Sequence, residues 1–142
     1  MKPMGKILTQ LTITNRADQI RAEEGLRTSD QIRSVTVGDA LVDTGATTLC
    51  LSADLISQLG LSLLKEVAVT TANGISKARI FQDAKLSICG REGTFECLEL
   101  PGGQVPLVGV IPLEALGLEL DLQNQKLRVL PTESSDTYLT IL

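Results

Sequence analysis

The 142-residue sequence contains no histidine and no tryptophan, and it has only one tyrosine and two phenylalanines. Without histidine the chain cannot form a Ser-His-Asp or Cys-His catalytic pair, and it has no imidazole metal ligand. The 13 lysines and arginines are outnumbered by 17 aspartates and glutamates, so the chain also lacks the basic, aromatic surface typical of nucleic-acid binders. Catalysis would therefore have to use carboxylates, thiols, lysines, hydroxyls or backbone groups.

Features of membrane and secreted proteins are also missing from the sequence. No apolar run approaches the roughly 20 residues of a membrane span, and no apolar stretch follows the first lysines as in a signal peptide. The cysteines Cys50, Cys89 and Cys97 match neither a disulfide framework nor a zinc-binding CxxC pattern. We therefore expect a cytoplasmic protein with reduced thiols, no metal, no cofactor, and no membrane or nucleic-acid partner.

Two-residue alternation of apolar and polar residues dominates the chain and predicts a mostly-β fold with an aliphatic core. Alternating segments are Lys6–Thr14, Arg33–Gly38 and Val67–Ile80, and Ala40–Val42 is a short apolar run of the buried-strand kind. The length favours a single domain over residues 1–142, with a core of about 6–130 and a tail over 131–142. The charged stretch 16–33 carries no pattern that assigns it to an element.

Turn and cap residues predict the connections. Asn73-Gly74 lies between two strand-like runs and predicts a hairpin with a type I′ turn, and a second turn is expected over 90–93. Ser52 and Gly60 predict the N-cap and the end of a two-turn helix. A second short helix is predicted over 112–117, with proline at its first position and glycine past its end.

A weak internal repeat links two parts of the chain. Leu41–Gly45 and Leu107–Gly109 are each followed by a short predicted helix and then by Leu-Gly-Leu-x-Leu. The repeat fits two similar half-units about a pseudo-twofold axis, or coincidence in a leucine-rich chain. The copies differ before the glycine, where the first copy has Asp43 and the second has Val108.

Asp43 is the best candidate for a catalytic side chain, because the residues around it are informative about its environment. A carboxylate directly after a buried strand has its pKa raised by low dielectric unless hydrogen bonds compensate. Thr44 offers a hydroxyl, and Gly45 lets backbone N–H groups approach closely because it has no Cβ. Taken alone, Asp-Thr-Gly is equally typical of a simple turn after a strand.

The context of this tripeptide resembles the retropepsin-like aspartic proteases, particularly the bacterial members. Residues 41–46 are similar to the family's catalytic loop, the hairpin over 67–80 is placed like its flap, and 107–109 is similar to its hydrophobic-hydrophobic-Gly element. The resemblance spans roughly residues 6–130. It implies a closed β-barrel or sandwich half-domain with one or two short helices, acting as a homodimer.

The resemblance also implies roles for individual residues. Asp43 would be the catalytic carboxylate, Thr44 would hydrogen-bond across the dimer axis, and Gly45 would supply backbone contacts. Ala46 would contact the substrate, as would the flap tip, and Gly109 would pack beside the catalytic loop. The residues of the flap tip are Ala72, Asn73 and Gly74. The single glycine at this tip departs from the glycine-rich flap of the family.

Peptide hydrolysis without histidine or metal needs one group to deprotonate water and another to protonate the amide. Two adjacent carboxylates that share one proton can do both, and such a dyad favours mildly acidic pH. The chain has one Asp-Thr-Gly, and the second copy of the repeat has Val108 in place of the aspartate. The second Asp43 must therefore come from a second chain. Lys6–Thr14 and Thr137–Leu142 are candidate strands for pairing between subunits, although the latter is equally typical of a frayed tail.

Two other classes of function compete with an aspartic endopeptidase acting on peptides or proteins. Residues 43–48 faintly resemble the phosphate loops of actin-like and ion-pumping ATPases, but the hairpin-rich pattern and the short chain disfavour both. A retropepsin-like dimerisation or peptide-binding module with little activity is the stronger rival. It would keep Asp43, Thr44 and the flap, so the sequence leaves this alternative open.

Overall fold

The computed structural model of the chain describes residues 6–101 and 105–131. Strands make up 56% and helices 20% of these residues, which confirms the mostly-β prediction. The described strands are β1 (Lys6–Asn15), β2 (Ser34–Asp43), β3 (Leu49–Ser52), β4 (Ser62–Thr71), β5 (Gly74–Ile88), β6 (Arg91–Leu100), β7 (Leu107–Val108), β8 (Leu118–Asp121) and β9 (Lys126–Val129). The described helices are α1 (Arg16–Glu23), α2 (Ala53–Leu59) and α3 (Val110–Ala115), together with a 3₁₀ turn over Ser29–Gln31.

Seven of these strands form one sheet that closes on itself. Their order is β1-β2-β7-β3-β6-β5-β4, and β1 also pairs with β5 through Thr12–Asn15. Six strands therefore form a ring, while β4 is attached outside it as an edge strand that pairs with β5. Strands β8 and β9 form a separate hairpin. This arrangement agrees with the predicted barrel-like domain.

The two faces of the barrel wall differ in burial because successive side chains along a strand point to opposite sides. The register places Ile7, Val42, Val108 and Leu49 opposite one another across β1, β2, β7 and β3, and all four are buried in the core. On the other face, Leu8 is 63% exposed. The alternation read from the sequence is thus the alternation between core and outer face.

Helix α2 agrees with its predicted caps, whereas α3 begins earlier than predicted. The Ser52 hydroxyl accepts a hydrogen bond from the Leu55 backbone N–H at 3.2 Å, and Gly60 ends α2 with a left-handed φ of 63°. Helix α3 has Gly109 as its N-cap, so Pro112 is its third residue and not its first. Proline is tolerated anywhere in a first helical turn, because the N–H that it lacks has no intrahelical partner there.

Both predicted turns differ in detail from the structure. The β4–β5 turn is formed by Ala72 and Asn73, and the positive φ (106°) belongs to Gly74, which already pairs with Thr71. The prediction of a type I′ turn centred on Asn73-Gly74 is therefore wrong. The turn expected over 90–93 lies instead at Cys89-Gly90, whose φ values of 53° and 78° have the signs that a type I′ turn needs.

The unassigned charged stretch contains α1, which the sequence did not predict. Its N-cap Asn15 accepts a hydrogen bond from the Asp18 backbone N–H at 3.0 Å and donates one to the Leu59 carbonyl at 2.7 Å. Asp18 is completely buried, and the Arg33 guanidinium donates to both of its carboxylate oxygens at 2.9 and 3.0 Å. This ion pair lowers the pKa of Asp18 to about 2. The helix is thus held by polar contacts rather than by an apolar face.

Candidate active site

Asp43 is the last residue of β2, at the point where the strand leaves the barrel wall. Its carboxylate Oδ1 accepts a hydrogen bond from the Gly45 backbone N–H at 2.8 Å, and its carbonyl accepts one from Ala46 at 3.0 Å. A Cβ on Gly45 would lie 3.1 Å from the same Oδ1. The turn therefore holds the carboxylate with a backbone N–H, which is the kind of compensating hydrogen bond expected for this aspartate. Asp43 is half-buried, whereas Thr44 is exposed.

The loop after Asp43 is fixed by the start of α3. The backbone N–H groups of Gly109, Val110 and Ile111 donate to the carbonyls of Thr48, Ala46 and Thr47 at 3.1, 3.0 and 2.8 Å, respectively. A Cβ on Gly109 would lie 2.6 Å from two of these carbonyl oxygens. Only glycine lets the two backbones approach so closely, so the loop position depends on the residue type at 109.

The two copies of the sequence repeat lie side by side in the barrel. Strands β2 and β7 are parallel, with Leu41 opposite Leu107 and Val42 opposite Val108. Asp43, the last residue of β2, therefore lies beside Gly109, the residue directly after β7. Val108 is opposite Val42, and both are fully buried in the core. The sequence-based correspondence of Val108 with Asp43 is therefore wrong, and the second copy has Gly109 beside the carboxylate.

The β4–β5 hairpin stands over this loop and forms a cleft with it. The cleft has a volume of about 620 Å³. Its walls are lined from the loop side by Gly45, Ala46, Thr47, Thr48 and Cys50, and from the hairpin and β6 by Val67, Ala68, Val69, Thr70, Thr71, Ile80 and Leu98. The predicted site residues Gly45 and Ala46 are among these lining residues. The tip residues Ala72, Asn73 and Gly74 are exposed and lie beyond them.

An ion pair holds the base of the hairpin where it leaves the barrel. Backbone pairing between β5 and β6 starts at Ile80 and Leu98, and the preceding Arg79 donates to Glu99 with both Nε (2.9 Å) and Nη2 (2.7 Å). The Arg79 guanidinium also lies 5.3 Å from the ring centroid of Phe81, which is buried in the core. Beyond this point the two arms of the hairpin pair only with each other among the described strands.

The thiols are poorly suited to act as nucleophiles. Cys50 lines the cleft, but burial, followed by the nearby Asp43 carboxylate, raises its pKa to about 11. Burial raises the pKa of Cys97 to about 12. A thiolate is the reactive form of cysteine, so the buried Cys50 and Cys97 are poor nucleophiles near neutral pH. Cys89 is exposed and is not among the residues that line the cleft. The carboxylate of Asp43 is the group next to the cleft that can act as a base.

Several cleft residues were not identified from the sequence. The alternation of Val67 and Val69 does indicate the half-buried inner face of the hairpin. Cys50 and Leu98 face each other through the parallel pairing of β3 with β6, and Ile80 joins them through the pairing of β5 with β6. The register between distant strands leaves no local sequence motif. The sequence therefore did not indicate that these residues line the cleft.

The site and the fold together define a class of protein: a β-barrel domain with an Asp-Thr-Gly turn whose glycine lines a hairpin-covered cleft. Residues 29–111, more than half of the chain, match the sequence model of the family described as "gag-polyprotein putative aspartyl protease". The chain belongs to this family of retropepsin-like aspartyl protease domains. A comparison with curated proteins gives no match. Within the described part of the chain, no helix is long and apolar enough to cross a membrane.

Proposed function

We propose that the protein is an aspartic endopeptidase in which Asp43 is the catalytic carboxylate. The observation that carries the proposal is the position of this group, at the end of a core strand, hydrogen-bonded by Gly45 N–H and next to a cleft of about 620 Å³. The cleft lining has no charged residue, and half of its residues are aliphatic, so it suits an extended peptide with apolar side chains. Family membership supports the same class of reaction.

The reaction requires two carboxylates, and one chain supplies Asp43, which is bonded to the cleft residue Gly45 but is not itself among the lining residues. None of the residues that line the cleft is an aspartate or glutamate, and the neighbouring strand β7 ends at Val108 and is followed by Gly109. The second carboxylate in our proposal is Asp43 of a second copy, related by a twofold axis. One carboxylate would then take a proton from the attacking water while the other gives its proton to the leaving amide nitrogen.

Two features of the described residues are compatible with such a dimer: the exposure of Thr44 and a partly unpaired edge of β1. Thr44 is exposed next to Asp43, as a residue must be to meet its symmetry mate. Strand β1 pairs with β2 along most of its length but with β5 only from Thr12 onward. Its first half therefore has a free edge among the described strands and can accept a strand from another chain. The other predicted pairing strand, Thr137–Leu142, lies outside the described residues.

The experiment that tests the proposal compares Asp43→Asn with the wild type in a peptide-library cleavage assay. Asparagine retains an oxygen that can accept the Gly45 N–H, so we expect an unchanged fold and dimer but a loss of cleavage of at least about a hundredfold. Asp39→Asn is the matched control, because Asp39 is exposed on the same strand and is absent from the cleft lining. Cleavage by Asp43→Asn at the wild-type rate would refute the assignment. Peptide binding without cleavage by the wild type would favour the binding-module alternative.

A further inference from the structure

Three arginine side chains converge on the buried carboxylate of Asp18. Arg33 Nε lies 2.9 Å from Oδ2, Arg27 Nη1 lies 3.3 Å from Oδ1, and Arg21 Nη1 lies 3.8 Å from the same Oδ1. Arg21 belongs to the last turn of α1, Arg27 lies in the loop after this helix, and Arg33 is the residue before β2. Four groups distant in the chain by up to 15 residues thus meet at one point.

Arg33 alone satisfies the buried carboxylate. It donates to Oδ2 with its backbone N–H and with Nε, and to Oδ1 with Nη2. Asp18 therefore has a bidentate partner and a neutralising charge without Arg21 or Arg27. These two additional guanidiniums lie near Oδ1 but donate no hydrogen bond within the described part of the chain.

The cluster as a whole carries an excess positive charge. Three guanidiniums surround one carboxylate, which leaves two positive charges without a counter-charge in contact among the described residues. Glu24 and Asp30 are close in sequence, but neither lies within 4.0 Å of an arginine or lysine nitrogen among residues 6–101 and 105–131. Like charges held this close repel one another, and a second anion would relieve that repulsion.

The excess charge is accessible from solvent. The side chains of Arg21, Arg27 and Arg33 are 45%, 34% and 41% exposed, so solvent reaches all three. Two exposed apolar side chains belong to the same segment, namely Leu26, which is 73% exposed, and Ile20, which is 41% exposed. Ile20 directly precedes Arg21 and Leu26 directly precedes Arg27 in the chain, and this pairing suits a peptide that presents a carboxylate beside an apolar residue.

We propose that Arg21, Arg27 and Arg33 form a binding site for an oxyanion, presented either as a carboxylate of an acidic peptide or as free phosphate. Arg21 and Arg27 provide the donors, while Arg33 remains paired with Asp18 and fixes the geometry. The neighbouring Leu26 favours the peptide as the natural source. The site is separate from the residues that line the cleft, so this inference does not depend on proteolytic activity.

The test measures binding to the full chain at constant ionic strength. Calorimetric titrations use inorganic phosphate, a glutamate-rich peptide that also contains leucine, and the corresponding glutamine peptide, with chloride as the background anion. The wild type should bind the glutamate peptide more tightly than phosphate and should not bind the glutamine peptide. Arg21→Gln/Arg27→Gln should weaken oxyanion binding at least about tenfold.

The matched control is Arg16→Gln/Lys65→Gln, which removes the same charge from side chains paired with Glu23 and Glu96 and not with Asp18. It should bind like the wild type. Equal weakening in both double variants, or no oxyanion binding by the wild type, would overturn the site. Binding of phosphate in preference to the peptide, lost only in Arg21→Gln/Arg27→Gln, would support the site and assign it to a free oxyanion. Unfolding curves in chloride establish that each variant is folded.

Discussion

At the scale of single residues, the candidate site depends on close backbone contact as much as on its carboxylate. Gly45 places its N–H 2.8 Å from the Asp43 oxygen, and Gly109 places its own N–H 3.1 Å from the Thr48 carbonyl. The second contact fixes the loop that follows Asp43. The two glycines therefore have different functions, since one orients the charged group and the other supports the loop beneath it.

Gly109→Ala tests this support. The new Cβ would lie 2.6 Å from the carbonyl oxygens of Ala46 and Thr48, and backbone atoms cannot move aside as a flexible side chain can. We expect the free energy of unfolding to fall by about 1–3 kcal/mol or more, with a loss of peptide cleavage, because the loop must shift. Urea unfolding measures the first effect and a cleavage assay the second.

Gly38→Ala is the control for this substitution, since Gly38 lies on β2 and a Cβ at this position would have nothing within 4 Å. It should be neutral or slightly stabilising because alanine has less freedom than glycine in the unfolded chain. Equal stability of the two variants would show that the contact at Gly109 has no energetic importance.

At this same scale the sequence reveals some site residues and hides others. Asp43, Thr44 and Gly45 form a local motif, and Gly109 ends the second copy of the repeat that contains this motif. These residues are therefore identifiable from the sequence alone. Leu98 and Cys50 reach the cleft only through strand pairing across β3 and β6. Their role depends on a register between distant segments, which composition and periodicity do not encode.

At the scale of elements, patterned strands were predictable and α1 was not. Strands β1 and β2 alternate between core and surface, and α2 has Ser52 and Gly60 at its ends. Apolar periodicity and capping preferences therefore predict all three elements. Helix α1 has no apolar face, and its one buried residue is Asp18. Hydrophobic periodicity cannot detect a helix that is held by an ion pair.

The acid sensitivity of the protein tests the importance of that ion pair. The pKa of Asp18 is lowered from 3.8 to about 2 by Arg33, so the stability it contributes is fully present above about pH 4 and is lost as the pH falls through 2. The shift corresponds to about 2 kcal/mol. We expect Asp18→Asn to lower the free energy of unfolding at pH 7 by about 2–4 kcal/mol and to lose less stability than the wild type between pH 4 and 2.

Denaturant unfolding at a series of pH values measures both effects, with Asp39→Asn as an exposed control. The control should follow the wild-type pH dependence. If Asp18→Asn were as stable as the wild type at pH 7 and equally sensitive to acid, the ion pair would not be what holds α1 to the barrel.

At the scale of the whole molecule, the fold explains why one chain would be incomplete as a protease. The barrel places Asp43 and Gly109 at adjacent strand ends, and the cleft beside them has no carboxylate of its own among its lining residues. The family match covers residues 29–111, which include this loop, the hairpin and β7. Strand β1 lies outside the matched segment but pairs with β2 and β5, so the same sheet joins both parts.

The most direct test of the central claim, a dyad built from two Asp43 carboxylates, is a subunit-mixing experiment. Wild type and Asp43→Asn are combined in equal amounts under conditions that exchange subunits, and the rate of peptide cleavage is measured at constant total protein. Random pairing makes one quarter of the dimers fully wild type, so our account predicts about a quarter of the wild-type rate. A rate of about one half would mean that each chain acts alone, and it would contradict a shared active site.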